Sequence, residues 1–201
     1  MVKTSNPLLH LASSSPRRRE ILEALGLEFS IEATDVDETR LADESAEQMV
    51  LRLATAKARA ATVEATRFVI GSDTAVVLDE DVLGKPRGKD EAIAMLLKLS
   101  NRRHAVLTGV ALRGPDGVQT ALSTTHVLFR EIRRDEAVAY WHSGEPRDKA
   151  GAYAIQGRGG AFVVAISGSY SGVVGLPVYE TARLLTTVGV DILLQRKDDG
   201  G

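Results

Sequence analysis

Residues 8–26 read LLHLASSSPRRREILEALG, and the order of residue types along them decides the fold. Leu8–Ala12 is a short, mainly apolar run, which predicts a buried first strand. Ser13–Ser15 break it. Pro16 suits the first turn of a helix, where its missing N–H costs nothing. Ile21, Leu22 and Leu25 then recur at helical spacing, and Gly26 closes the helix as a C-cap. The chain therefore opens strand, polar loop, helix, with Arg17, Arg18 and Arg19 on the first helical turn. A helix N-terminus gathers free N–H groups and partial positive charge, so hydroxyls and guanidinium groups beside it make a phosphate cradle. A capped surface helix with solvated arginines fits the same residues.

Working outward, Phe29–Ala33 reads as a strand that runs into the acidic stretch Thr34–Glu38. A longer helix is expected over Ser45–Val63, with Met49, Leu53, Ala56 and Ala60 on one face. Phe68–Ile70 is a compact buried strand leading into Gly71–Thr74. Ala75–Leu78 continues extended, and Asp79–Asp81 turns the chain back to Val82–Leu83. Asp90–Leu99 is an amphipathic helix. Ala105–Leu112 and Val118–Phe129, joined by the turn Gly114–Gly117, read as a hairpin. Asp135–His142 is a helix, Phe162–Ile166 a buried strand, and Tyr179–Val188 a last helix entered through Pro177. Strands and helices mix without strict alternation. The expected class is α/β with a mixed sheet.

Composition bounds the function. The chain has 201 residues, 44% hydrophobic and 26% charged, with a formal net charge of −2. No global field draws it to nucleic acid or membrane. Aromatics at 4% leave few stacking platforms for single strands. No cysteine is present, which removes disulfides, thiolate nucleophiles and zinc–thiolate sites together. The N-terminal apolar run is too short for a signal peptide, and no stretch approaches the roughly 20 residues of a membrane span. A cytoplasmic protein is expected, with a frayed tail over Lys197–Gly201.

Several constellations can carry chemistry. Gly144–Gly160, GEPRDKAGAYAIQGRGG, sets Glu145, Arg147, Asp148, Lys149 and Gln156 among five glycines, a composition suited to wrapping a charged small molecule. A long solvated loop is the plainer alternative. Gly71-Ser72-Asp73-Thr74 places a carboxylate at the end of a buried strand, as a metal ligand, a general base or a mere turn residue. Lys85, between Gly84 and Pro86, suits a phosphate contact. Asp35, Asp37 and Glu38 could hold a hard divalent cation through oxygen ligands, or simply lie in solvent. The four histidines show no metal-ligand spacing and are read as structural. Neither a Walker A motif nor a G-x-S-x-G elbow is present. Basic residues on loops with scattered carboxylates point to a hydrolase or transferase acting on a phosphorylated small molecule.

The same residues resemble the Maf family of nucleotide pyrophosphatases, also called septum-formation proteins. The likeness runs in order through LASSSPRRREIL, ATDVDE, Ala54–Ala58 around Lys57, GSDTAVVLD, LGKP, LTGVAL, EPRDKAGAYAIQG and GSYSGVVGLP. Single pieces are weak signals; their order and spacing together are specific. The resemblance implies one elongated α/β domain like that of the inosine-triphosphate pyrophosphatases, with two lobes around a cleft. It implies metal-dependent hydrolysis between the α and β phosphates of a nucleoside triphosphate, with magnesium or manganese, and a homodimer.

Carried over by residue, Asp73 is the general base. Arg17 and Lys85 hold the triphosphate, Arg18 supports them, and Ser13 contacts a phosphate oxygen. Glu38 and Asp73 are metal ligands, and Lys57 and Lys149 stabilise charge. Thr74 and Gln156 meet the base or sugar, and Arg17 bears on specificity too. EPRDKAGAYAIQG looks like the branch acting on dTTP and UTP; the branch acting on 7-methyl-GTP tends to have Glu where Gln156 stands. An amide both donates and accepts, so it can read a pyrimidine edge. Gly172 departs from the family's more usual Asn, and Arg19 is expected on the surface. The rival class is a non-catalytic nucleotide sensor controlling cell division.

Overall fold

The computed structural model describes residues 9–194. Leu8 and the tail over 197–201 lie outside the described residues. β1 (Leu9–Ala12) is buried at every position. It lies between β2 (Phe29–Glu32) and β3 (Phe68–Leu78) and runs parallel to both. Its polar member, His10, meets Ser30 Oγ through Nδ1 at 2.8 Å, while its buried Nε2 makes no hydrogen bond among the described residues and lies 3.5 Å from Glu32 Oε2. α1 (Pro16–Ala24) starts at the proline, and Gly26 takes φ 71° just past its end.

β3 is the hinge of the topology. Against one edge β5 (Arg103–Gly114) runs antiparallel from Val69 to Val77. The hairpin partner β6 (Gly117–Phe129) and then β7 (Val163–Ser167) extend the sheet outward, giving the order β2-β1-β3-β5-β6-β7. The other edge of β3 is shared. β1 pairs with it only as far as Ile70, and β4 (Asp81–Leu83) takes over at Val76. Between them, Gly71–Ala75 has no strand on that edge among the described residues. The loop from β1 into α1 leaves the sheet at this gap. Crevices beyond the carboxyl end of a parallel strand, where the topology switches, are where open α/β sheets bind ligands.

α2 (Ala46–Ala60) begins with a capping box. Gln48 N–H donates to Ser45 Oγ at 3.1 Å, and Ser45 N–H to Gln48 Oε1 at 2.9 Å. Replacing such a cap by Ala costs about 1 kcal/mol. The helix crosses β3 and β5 very closely. A Cβ at Gly71 would lie 2.2 Å from the Ala54 carbonyl oxygen, and one at Gly109 2.5 Å from that of Val50. Those two glycines set the depth at which α2 sits. Its buried face is Met49, Val50, Leu53, Ala54, Lys57 and Ala58. The expected stripe is rotated: Ala56 is only partly buried and Ala60 is exposed.

α3 (Lys89–Leu99) and α4 (Arg134–His142) pack on the β4 end of the sheet, around Leu78, Leu96, Leu99 and Phe129. α6 (Val178–Thr186) covers the β1 end, around Leu11, Leu22 and Leu185. Between these ends lies α5 (Tyr170–Val174), a short helix capped by Ser169. Gly172 sits inside it, its N–H bonded to Ser169 Oγ at 3.0 Å. The serines therefore order this segment without a side chain at position 172.

Two strand readings change. Asp73 is not at a strand end: β3 continues five residues past it without a break, because Ala75–Leu78 belongs to the same strand. The strand expected over Phe162–Ile166 begins at Val163 and is largely exposed, with Val164 at 61%. It is the last strand of the sheet, and apolar composition misled because nothing described here covers it.

Candidate active site

α2 approaches β3 across Gly71 and Gly109, and the approach delivers Lys57 to Asp73. Lys57 Nζ lies 2.6 Å from Asp73 Oδ1 and 2.6 Å from Glu38 Oε1. Asp73 is 8% exposed and so is Lys57. A buried lysine is tolerated when paired this way, and removing one partner typically costs about 3–5 kcal/mol. Burial pushes the Glu38 carboxyl up, but the hydrogen bond and charge of Lys57 more than offset it, and the net shift is below the ordinary value. Lys85 Nζ stands 3.9 Å from the other Glu38 oxygen, with its side chain mainly in solvent.

Glu38 is carried by the strap between β2 and α2, and a clamp fixes the strap. The Glu44 carboxylate takes Arg52 Nε at 2.5 Å and an Arg52 Nη at 2.8 Å. The same Nη donates to the Thr39 carbonyl at 3.1 Å. These hydrogen bonds bring Glu44 down to about 2. The sequence reading missed this pair, since nothing in a one-dimensional pattern links residues 44 and 52 except their opposite charge.

Across the gap in the sheet stands the basic wall. Arg18 donates through Nε to the Gly175 carbonyl at 2.8 Å and through Nη1 to Ser13 Oγ at 3.1 Å. Ser72 Oγ lies 2.9 Å from that same carbonyl and 3.0 Å from the Gly109 carbonyl, with one proton to share between them, so α1, β3 and the end of α5 meet here. Burial lowers the pKa of Arg18, an effect the Asp73 charge opposes; burial likewise lowers Arg17. Lys149 is paired with its neighbour Asp148. Gln156 is exposed at the rim.

Ser13, Arg17, Arg18, Glu38, Lys57, Asp73, Thr74, Lys85, Lys149 and Gln156 all line one cleft of about 720 Å³. That volume falls in the range of small-molecule sites. Other singled-out residues do not reach it. Glu145 accepts from Tyr140 Oη at 2.6 Å and from the N–H groups of Arg158 and Gly159 at 2.9 and 3.0 Å, so it closes the Gly144–Gly160 segment instead. Arg147 lies over the Trp141 ring, 5.6 Å from its centroid. Asp35 and Asp37 stay outside, Asp37 accepting the Thr39 N–H at 2.9 Å. Arg19 is exposed beside Glu23. Asp148 and Tyr153 line the cleft without having been assigned a role. Tyr153 Oη meets the buried His104 Nε2 at 2.9 Å.

The cleft thus sets the carboxylates of Glu38, Asp73 and Asp148 among the cationic side chains of Arg17, Arg18, Arg40, Lys85 and Lys149, with Lys57 between Glu38 and Asp73. Among the described residues no group of three or more His, Asp or Glu could hold a metal alone. Lys57 takes one oxygen of each carboxylate, so a magnesium-type ion would be held through Asp73 Oδ2 and Glu38 Oε2 and would complete its shell with water and ligand phosphates, the usual arrangement for this cation.

Comparison with known proteins places the chain in a family. The family model described as Maf-like protein matches residues 8–188. A dTTP/UTP pyrophosphatase of Alkalilimnicola ehrlichii is 50% identical over 192 residues, 92% of this chain and 95% of that protein. A protein of the same name from Vibrio cholerae is 52% identical over 179 residues, 88% of this chain and 96% of that one. A solved structure of a HAM1 protein from Coxiella burnetii shares the fold, with a TM-score of 0.53 at 18% identity over 90% of this chain and 100% of its own. No helix among the described residues is long and apolar enough to cross a membrane. With the family model covering most of its length, this chain belongs to the Maf-like proteins.

Proposed function

We propose that the chain hydrolyses nucleoside triphosphates, dTTP and UTP by preference, to nucleoside monophosphate and pyrophosphate. The observation that carries this reading is the pair Asp73–Glu38 bridged by Lys57, facing the basic wall across one cleft. The names of its relatives support the same chemistry.

Asp73 Oδ1 is engaged by Lys57, and Oδ2 has no hydrogen-bond partner among the described residues. Oδ2 is the oxygen that takes a proton from the attacking water. The water oxygen bonds to the α phosphorus, the α–β bridging P–O bond breaks, and pyrophosphate leaves. Arg17, Arg18 and Lys85 hold the anionic chain in line, and Lys57 and Lys149 add positive charge where negative charge develops. Glu38 and Asp73 would hold a divalent cation, magnesium or manganese, which when bound neutralises phosphate charge. Ser13 contacts a phosphate oxygen. Thr74 and Gln156 meet the nucleoside, and the amide of Gln156 reads the donor–acceptor edge of a pyrimidine.

The reading includes a single domain with two lobes meeting at the cleft, a cytoplasmic location and a homodimer. The test of the bond cleaved is hydrolysis in 18O-labelled water. Label in the monophosphate is expected, and label in pyrophosphate or free phosphate would rule out attack at the α phosphorus.

A further inference from the structure

The hydrogen bonds behind Thr74 determine what its hydroxyl can offer a ligand. A threonine hydroxyl has one proton and two lone pairs. Thr108 stands directly opposite Thr74 in the β3–β5 ladder and is fully buried. Its Oγ1 lies 2.8 Å from the Gly172 carbonyl oxygen and 3.1 Å from Thr74 Oγ1. A carbonyl only accepts, so the Thr108 proton goes to Gly172. The Thr74 proton must then point at Thr108. Thr74 keeps no proton for the cleft that it lines and presents lone pairs alone.

Among the described residues no hydrogen bond from Arg18 reaches those lone pairs. Arg18 directs Nε to the Gly175 carbonyl and Nη1 to Ser13. Thr74 also points to the face of β3 opposite Asp73, since successive strand residues alternate. A Cβ built at Gly175 would sit 3.6 Å from Thr74 Oγ1, which places that hydroxyl beside the end of α5 and away from Lys57. This is the side away from the carboxylates.

We propose that Thr108 is a positioning residue for specificity. By fixing the Thr74 hydroxyl as an acceptor, it selects a nucleotide that presents a hydrogen-bond donor there. The proposal rests on the reading of the cleft as a pyrimidine nucleoside triphosphate site. Two groups of such a substrate have that chemistry: the imide N–H of uracil or thymine, and the 3′-hydroxyl of the sugar, which UTP and dTTP share. Cytosine offers a bare ring nitrogen in place of the imide N–H.

The experiment compares wild type with Thr108→Val, Thr108→Ser and Thr74→Val. KM and kcat are measured for UTP, CTP and 3′-deoxy-UTP, with a thermal melt on each variant. Thr108→Val should raise the KM for UTP by about tenfold, the size of one neutral hydrogen bond, with kcat nearly unchanged. Thr108→Ser keeps the hydroxyl and should restore the wild-type KM. Thr74→Val leaves the Thr108–Gly172 bond in place and should match Thr108→Val, so the case does not depend on Thr108→Val folding. A collapse of the UTP-over-CTP preference identifies the imide as the donor. An equal rise for UTP and CTP that spares 3′-deoxy-UTP identifies the sugar. Unchanged KM values for all three substrates in Thr74→Val overturn the proposal, as do an equal rise for all three or a serine variant that behaves like valine. Failure of the wild type to release pyrophosphate from any nucleotide removes the functional reading, and the proposal with it. Turnover with an insensitive Thr74→Val removes the proposal alone.

Discussion

Gly109 stands directly opposite Asp73 across the β3–β5 ladder, and its missing side chain lets Lys57 reach that carboxylate. The helix backbone at Val50 occupies the place of a Cβ at position 109, about two turns before Lys57 on α2. The Lys57–Asp73 contact and the packing of α2 on the sheet are one feature of the fold.

Gly109→Ala should therefore act on both. A Cβ 2.5 Å from a backbone oxygen forces α2 to move, and overpacking of this kind costs about 1–3 kcal/mol. Denaturant unfolding should show that loss, and turnover should fall because Lys57 and Asp73 part. Unchanged stability would mean that the helix yields freely and that the glycine does not set its depth.

Asp73→Asn keeps the shape and removes the carboxylate proposed to accept the proton. Turnover should drop by about a thousandfold, within the usual range for a general base. The thermal midpoint should stay within a few degrees, because the amide oxygen can still accept from Lys57. Pyrophosphate release together with a melt separates the two effects. Full activity would take Asp73 out of the mechanism.

Lys85→Ala tests the triphosphate wall. The side chain is 64% exposed and its nearest carboxylate is 3.9 Å away, so stability should hardly change. KM for the triphosphate should rise by about tenfold as one charge-assisted contact is lost. Steady-state kinetics with unchanged KM and kcat would count against a phosphate contact.

Much of this was legible in the sequence, and the failures have physical causes. The opening strand, loop and helix could be read because Pro16 and Gly26 punctuate them. The cleft residues came from motif order, which carries information that composition does not. Glu145 and Arg147 were misjudged because charge in a glycine-rich segment can serve recognition or closure equally well. The hydroxyl of Tyr140 and the ring of Trp141, supplied by α4, together with the N–H groups of Arg158 and Gly159, decide for closure. Asp73 looked like a strand terminus because Gly71 resembles a stop, whereas here the glycine makes room for a helix. The link from Thr108 to Thr74 depends on a ladder register that no local pattern specifies.

Stability should also fall on the acid side of neutrality through His104. Burial pushes its imidazole down to about 4 from the ordinary 6.5. Between those values the unfolded chain holds a proton that the folded chain refuses, so stability drops as pH falls through the window. The loss is at most about 1.4 kcal/mol per pH unit for one group. His104→Asn should flatten the curve between neutral pH and about 4 in denaturant titrations at stepped pH. An equally steep curve in the variant would assign the acid sensitivity to other groups.

The most direct test of the account is pyrophosphate release from a panel of nucleoside triphosphates, including dTTP, UTP, CTP and 7-methyl-GTP, with magnesium, with manganese and with chelator. The account predicts release of pyrophosphate and monophosphate, strongest for dTTP and UTP and abolished by the chelator. Nucleotide binding without any release would contradict it and would support a sensor in place of a hydrolase.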